Sequence, residues 1–396
     1  MGVRQISKLN FHRKLGAHML AALNVKLVAG HASVIMPPSR NAVDGLLPGT
    51  PWSNGKSPPT GSIMPYSSPC VNGSDYCSNG QASFWFSQGC TIGCASCTGN
   101  GSRIPNFDHC PKTGGAVWPK NLAPSLILAP EYRTTNLETI AGTVEDFYRF
   151  NPWRAPGQAP VYDSCGMAGG STVARFNAGE YNTTIYAKQG DLGSKTLKPL
   201  PSGTVWRRGD VVRTRFQQSA NHGGGYIYRL CPAKAALTEE CFNKIPLQFA
   251  KDATQWVRYA DASKDVEIDA RIVKHGGGKG WMRWPNPNYN EGQCDYVLPK
   301  GKHCSDHCPG CVAPLYAADA ACPCNCDKQY PGLPAGNVDN QTWPRPMPGN
   351  PDRDFSIEDR LIVPLEMDAG EYVLGWRWDA EMTSQIWQSC SDVTVV

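Results

Sequence analysis

Seventeen cysteines are the feature that most restricts what this chain can fold into. All of them lie after residue 69, and most fall in two clusters, at residues 70–110 and 294–326. Cysteines at this density indicate disulfide bonds that form in an oxidising compartment. Because the count is odd, at least one cysteine has no partner within the chain.

The second cluster, residues 294–326, allows two interpretations. His303 and His307 lie among its cysteines, and mixed cysteine and histidine ligands are typical of zinc sites. In a secreted chain, however, such cysteines more often form disulfides. We therefore predict a disulfide-stapled insertion here rather than a metal site.

Several short segments alternate apolar with polar residues, which is the period of a β-strand. The chain also contains 40 glycines and 33 prolines, which favour turns over long helices. The alternating segments are residues 204–216, 225–230, 266–273, 360–363 and 371–378. Many short strands divided by turns predict a mainly β protein, a β-sandwich with long disulfide-stapled loops.

Residues 1–30 have the composition of a secretory signal peptide. They contain five basic residues and no acidic one, and their apolar stretch ends in small residues at Gly30. An ordinary N-terminal segment is the alternative, because two polar residues interrupt the apolar run. We predict cleavage after Gly30 and secretion of residues 31–396. Four Asn-x-Ser/Thr sequons agree with this prediction: Asn72, Asn100, Asn182 and Asn340.

The charge of the chain argues against two classes of partner. The formal net charge is +4, but outside residues 1–30 there are 33 basic and 34 acidic residues. A near-neutral chain gives no support for binding to nucleic acid or to an anionic membrane. After residue 30, no apolar run approaches the roughly 20 residues that span a bilayer. We therefore expect a soluble protein with neither kind of partner.

Cleavage after Gly30 would make His31 the first residue, and an N-terminal histidine is an unusual metal ligand. Its α-amino group and one ring nitrogen can bind the same ion. A second imidazole completes a T-shaped site of three nitrogens, which suits copper.

The candidates for the second imidazole are His109, His222 and His275, and the last two are each followed by three glycines. Glycines beside a histidine remove side chains and let a bulky partner approach closely. A histidine in such a turn is also common without any metal, and the motif alone does not choose between the two.

Near the end of the chain, Gln385, Trp387 and Cys390 follow an apolar strand. A disulfide at Cys390 can fix the aromatic ring, which then shields one axial face of a metal. The glutamine then offers a hydrogen bond to a bound oxygen species. Taken alone, these residues fit better as a core tryptophan and a polar surface glutamine.

Taken together, three motifs resemble those of lytic polysaccharide monooxygenases and chitin-binding type-4 domains. His31 with the following Pro37-Pro-Ser-Arg40 resembles the opening of that family, and Asn221-His222-Gly-Gly-Gly resembles its second histidine loop. Gln385-x-Trp387-x-x-Cys390 resembles the closing motif, although the family usually has Tyr or Phe where Trp387 stands. The motifs occur in the family's order and span the chain.

The resemblance implies one elaborated domain over residues 31–396, an immunoglobulin/fibronectin-like β-sandwich with a histidine brace for one copper ion. It implies His31 and His222 as ligands, with Gln385 and Trp387 as the polar group and the axial aromatic beside them. A small-molecule or protein reductant and oxygen or hydrogen peroxide would be the further partners. The implied activity is oxidative cleavage of glycosidic bonds in a structural polysaccharide.

The substrate is less determined, and chitin and cellulose are about equally favoured. Exposed aromatic faces bind such flat polymers, and Trp281, Trp284 and Tyr289 are candidates because glycine and proline surround them. The main alternative is a non-catalytic protein that binds carbohydrate or copper on the same scaffold. A cysteine-rich structural protein is a third hypothesis, and a hydrolase is disfavoured because no carboxylate pair has the required spacing.

Overall fold

The structure is a computed structural model, and the alternating segments form strands of two β-sheets in it. It describes residues 31–41, 85–88, 124–128, 151–169, 186–188, 190–220, 223–251, 254–259, 262–274, 276–285, 355–381 and 385–396. Within these ranges the strands are β1 (His31–Met36), β2 (Trp85–Gln88), β3 (Met167–Ala168), β4 (Val205–Trp206), β5 (Val211–Ala220), β6 (Gly225–Pro232), β7 (Ile245–Pro246), β8 (Gln248–Phe249), β9 (Thr254–Tyr259), β10 (Val266–Asp269), β11 (Met282–Arg283), β12 (Phe355–Ile362), β13 (Gly370–Asp379) and β14 (Gln385–Val395).

Helical structure in the described ranges is limited to short pieces. The α-helices are α1 (Gly193–Thr196) and α2 (Glu239–Asn243), and the 3₁₀ turns are Pro124–Leu126, Pro152–Arg154, Ala262–Lys264 and Gly276–Gly278. The prediction of a mainly β protein is therefore confirmed. No helix within the described ranges is both long and apolar enough to cross a bilayer.

The six-stranded sheet has the order β1-β5-β12-β9-β10, with β8 paired to β12. The eight-stranded sheet has the order β11-β6-β13-β14-β2-β3, with β4 paired to β14 and β7 to β6. Both sheets contribute side chains to one hydrophobic core, so they pack face to face as a sandwich. Whether the strand order is that of an immunoglobulin/fibronectin-like fold, and whether residues 31–396 form one domain, stay predictions.

Two of the predicted strands differ from the observed ones. The segment 204–216 divides into β4 and β5 at Gly209, whose φ of 82° allows the turn. The segment 266–273 is a strand only as far as Asp269, because Ile272 then bridges to Met282 and the Val273 N–H donates to the Trp281 carbonyl. The chain leaves one sheet for the other at this point, which the alternation of apolar residues does not reveal.

Aromatic rings fill the core between the sheets. Trp284 stacks on Trp378 with 3.8 Å between ring centroids, and Phe216 contacts Tyr226 at 4.8 Å and Trp376 at 5.3 Å. All five side chains are buried. Aromatic pairs of this kind add about 0.5–1.5 kcal/mol each beyond the buried area, so this cluster contributes substantially to the stability of the sandwich.

A carboxylate, Asp359 of β12, is fully buried inside the same core. The hydroxyls of Tyr226 and Tyr228 donate to it at 3.1 and 3.0 Å, and the Gln255 amide donates at 2.6 Å. Burial outweighs these hydrogen bonds and raises the pKa of Asp359 to about 7.

We predict that Asp359 makes the protein less stable as the pH rises from about 4 to 7. In this window the folded state retains a proton that the unfolded chain releases, so the free energy of unfolding falls with pH and levels off above 7. Between pH 5 and 8 the advantage of the parent over Asp359→Asn should shrink by about 2–3 kcal/mol. Urea unfolding at several pH values measures the difference, and a constant difference would contradict the prediction.

Two disulfides lie within the described residues, Cys165–Cys390 and Cys231–Cys241. The first joins the segment 151–169 to β14, and the second joins β6 to α2. They bear out part of the predicted crosslinking. The predicted stapled insertion at residues 294–326 lies outside the described residues, as do residues 1–30 and the four sequons.

Candidate metal centre

The pairing of β1 with β5 determines where His31 lies. β1 is the edge strand of the six-stranded sheet, and His31 is opposite Ala220, the last residue of β5. The Cα atoms of opposite residues in an antiparallel pair are about 4.5–5.5 Å apart. His222 follows Ala220 by two residues in the sequence, so His31 is paired with the strand that precedes His222. His222 itself and the side chain of His31 lie outside the described residues.

Three glycines after His222 allow very close contacts. Gly223 and Gly224 have φ angles of 61° and 85°, which glycine adopts without strain. A Cβ atom on Gly224 would lie 2.0 Å from the carbonyl oxygen of Asp379, and one on Gly225 would lie 2.3 Å from the ring of Trp153. The groups that pack closely against these glycines are thus the end of β13 and the buried Trp153.

The glycines after His275 pack elsewhere. A Cβ atom on Gly277 would lie 2.5 Å from the carbonyl oxygen of Leu126, and one on Gly278 would lie 2.9 Å from the side chain of Leu128. His275 is itself outside the described residues. The strand that precedes the His222 motif, β5, pairs with β1. The described residues before His275 do not pair with β1.

Gln385 and Trp387 lie at the start of β14, and both side chains are buried. The indole N–H of Trp387 donates to the Gln385 side-chain oxygen at 3.3 Å. The Trp387 ring also stacks against Trp378, with 6.1 Å between centroids. The structure therefore brings the predicted polar group and the predicted aromatic together, on the inner face of the eight-stranded sheet. It does not test their predicted roles toward a metal.

Serine hydroxyls connect this part of β14 to β1. The hydroxyls of Ser33 and Ser389 are 3.0 Å apart, and the Val34 N–H donates to the Ser389 hydroxyl at 3.3 Å. Ser389 is two residues after Trp387 and so lies on the same face of the strand. Ser33 is two residues after His31. β1 and β14 therefore contact each other at Ser33 and Ser389.

Cys390 is in a disulfide, as the closing motif suggested, and its partner is Cys165, which the sequence did not identify. Residues three apart on a strand face opposite sides, so Cys390 lies on the outer face while Trp387 faces the core. Around the disulfide are Phe242 and Val373, both buried. The disulfide fixes β14 from outside the sandwich and does not touch the Trp387 ring.

Two buried ion pairs include Asp379 and Glu381, whose backbone atoms lie close to Gly224. The Arg377 Nε donates to the Asp379 carboxylate at 2.7 Å, and Arg154 pairs with Glu381, with both side chains completely buried. Burial opposes the charge on Arg377, but the carboxylates of Asp379 and Glu239 raise its pKa above the usual range. Each buried charge has an opposite partner, as buried charges require.

The expectation that Trp281 and Trp284 lie on the surface is wrong. Trp284 is completely buried and stacks on Trp378, and Trp281 is only 5% exposed and packs 6.1 Å from Trp153. The neighbouring glycines and prolines mark turns, but the turns direct both indoles inward. Neither ring offers a face to a polysaccharide. Tyr289, the third predicted binding residue, lies outside the described residues.

The sequence did not single out Trp378, Ser33 or Ser389. The period of two along β14 gives the signal for Ser389, since it places that residue on the same face as Trp387. No sequence pattern identifies its partner on β1, because that contact joins residues more than 350 positions apart.

The metal ligands predicted from the sequence are His31 and His222, and the side chains of both lie outside the described residues. Within the described residues no group of three or more His, Cys, Asp or Glu side chains is arranged to hold a metal ion. A brace needs fewer residues, because one N-terminal histidine supplies an amine and an imidazole. A site of three nitrogens suits copper, and the brace of His31 and His222 stays a prediction.

Three solved structures resemble the chain distantly. An AA15 lytic polysaccharide monooxygenase from Thermobia domestica in the Cu(I) state has a TM-score of 0.25 and 11% identity, over 55% of this chain and 78% of that one. A chitin-binding domain from Burkholderia pseudomallei has a TM-score of 0.29 and 12% identity, over 93% and 100%. CBM33 from Bacillus amyloliquefaciens in complex with Cu(I) has a TM-score of 0.20 and 9% identity, over 56% and 67%.

The chain matches no protein-family model and no curated protein. With TM-scores this low, the relationship to the three structures is distant, and the proposals below depend on the residues of this chain.

Proposed function

We propose that this protein is a secreted, copper-dependent enzyme that cleaves glycosidic bonds oxidatively in a structural polysaccharide, chitin or cellulose. The observation that carries the proposal is the register of β1 on β5, in which His31 is opposite Ala220. It brings the first residue of the proposed secreted chain to the strand end that leads into His222. The strands that carry the opening and closing sequence motifs, β1 and β14, also contact each other through Ser33 and Ser389.

The proposed copper ligands are the amino group and one ring nitrogen of His31 and one ring nitrogen of His222. Bound copper would supply one-electron redox chemistry, with an external reductant and oxygen or hydrogen peroxide as co-substrates. The contribution of the protein is to hold these ligands on fixed backbone, which the pairing of β1 and the contacts of Gly224 with β13 favour.

Gln385 and Trp387 are proposed to border the centre from the start of β14. Trp387 has no phenol and cannot serve as an oxygen ligand, so its role would be to exclude water from one side of the site. Its indole holds the Gln385 side chain in place through the 3.3 Å hydrogen bond. Gln385 would then hold its side-chain amide in a fixed position at the edge of the copper centre.

One of the three predicted polysaccharide contacts is kept in the proposal. Trp281 and Trp284 are buried and are withdrawn as contacts, whereas Tyr289 stays a candidate.

Secretion is supported by the disulfides Cys165–Cys390 and Cys231–Cys241, since such bonds persist in oxidising compartments.

The proposal predicts oxidised oligosaccharides as products. Copper-loaded protein that begins at His31 should release them from chitin or from cellulose when a reductant and oxygen or hydrogen peroxide are supplied, and mass spectrometry detects them. The His222→Ala variant, treated with the same copper, should release none. Binding to the polymer with copper bound but without products would overturn the enzymatic proposal in favour of a non-catalytic binding protein.

A further inference from the structure

The carbonyl group of Gly223, the residue directly after His222, has a buried partner. The indole N–H of Trp378 donates to it at 2.7 Å. Trp378 lies in the middle of the eight-stranded sheet, opposite Tyr226 on one side and Trp387 on the other. A hydrogen bond of this length between buried groups fixes the orientation of the Gly223–Gly224 peptide, the second peptide after His222.

The next residue along β13 makes the second contact with the same turn. Gly224 lies so close to Asp379 that a Cβ atom would be 2.0 Å from its carbonyl oxygen. The backbone N–H of Trp284 donates to the Gly224 carbonyl at 2.8 Å. The backbone that follows His222 is therefore held on two consecutive residues of β13 and from the other side by Trp284.

The Trp378 ring has little freedom to move. It is completely buried, and Trp284 stacks on it at 3.8 Å with an angle of 18° between the rings. Trp284 thus holds Gly224 through its backbone and Trp378 through its ring. Trp284 therefore holds the glycines that follow His222 in the sequence, and it does not make the substrate contact that the sequence predicted.

From these contacts we infer that Trp378 is a positioning residue for His222, an inference that rests on the proposed role of His222 as a metal ligand. The indole N–H holds the Gly223 carbonyl, and this contact would restrain the chain directly after His222 in the sequence. Loss of the N–H would free the Gly223–Gly224 peptide to rotate, and the His222 imidazole would then be held less firmly in the orientation that binds the metal.

A neighbouring tryptophan gives a matched control. Trp376 lies two residues earlier on β13, on the same face, and is also completely buried. Its indole nitrogen has no hydrogen-bond partner among the described residues. Trp376→Phe and Trp378→Phe therefore remove a similar volume from the same core, but only the second removes a hydrogen bond to the turn.

The first test is hydrogen exchange in the metal-free protein. We expect peptides that cover residues 221–226 to exchange about tenfold faster in Trp378→Phe than in the parent, and at the parent rate in Trp376→Phe. If Trp378→Phe does not fold, 3-benzothienylalanine at position 378 keeps the bicyclic ring and lacks the N–H. Equal exchange in the 376 and 378 variants would overturn the inference without touching the proposed function.

The second test is a competitive copper titration of the same proteins, each beginning at His31. We expect Trp378→Phe to weaken copper binding about tenfold, the lower end of what partners of metal ligands contribute, and Trp376→Phe to change it less than twofold. Equal affinities in both variants, with copper bound by the parent, would contradict a positioning role. A parent that binds no copper would instead contradict the proposed function, while the exchange result still tests the contact.

Discussion

Replacing His222 with alanine should weaken copper binding by at least about a hundredfold, because it removes one of three nitrogen donors. The His275→Ala variant should bind copper within about twofold of the parent. Both histidines precede three glycines, so the two substitutions change the same local sequence. They differ in their surroundings, since Ala220, just before His222, pairs with His31, whereas the glycines after His275 pack on residues 124–128.

A competitive titration with a chelator of known affinity measures both variants, and circular dichroism verifies that each is folded. If His275→Ala lost copper and His222→Ala did not, the second ligand would be His275 and the role proposed for the β5 end would be wrong. Equal, small losses in both would mean that neither histidine binds the metal.

Gly224→Ala should destabilise the protein by about 4 kcal/mol or more, in the range reserved for severe backbone or packing conflicts. The new methyl group would lie 2.0 Å from the Asp379 carbonyl oxygen. That oxygen belongs to the backbone of β13, so it cannot move aside without shifting a central strand. We expect the variant to unfold at much lower urea concentration and to lose the arrangement of the His222 turn.

Gly280→Ala provides the control for this prediction. Its φ of 84° matches the 85° of Gly224, but a Cβ atom at residue 280 would have nothing within 4 Å. It should therefore show only the cost of a left-handed alanine, about 1–2 kcal/mol. Equal losses in the two variants would mean that the conformation, and not the contact with β13, limits residue 224.

The sequence predicted the strands because alternation reports burial on one face of a sheet. The strands at 225–230 and 371–378 fall within β6 and β13. The alternation failed beyond Asp269, where apolar residues continue but Ile272 bridges to the other sheet. A pattern of apolar positions indicates which residues are buried, but it does not indicate which of the two sheets they belong to.

The site was predictable only as far as local motifs reach. Glycines after His222 indicated a close approach, but the sequence could not name Asp379 as the partner, because the contact joins distant parts of the chain. The same limit explains the error at Trp281 and Trp284. Glycine and proline neighbours indicate a turn, and only the tertiary packing determines whether an indole in that turn faces solvent or core.

The most direct test of the copper centre is a titration of two forms of the chain, one that begins at His31 and one that retains Gly30. Retaining Gly30 converts the amine of His31 into an amide and removes a donor, while every described contact of β1 is left in place. Our account predicts that the form beginning at His31 binds one copper ion at least about a hundredfold more tightly. Equal affinities would contradict it, because a brace requires the free amine.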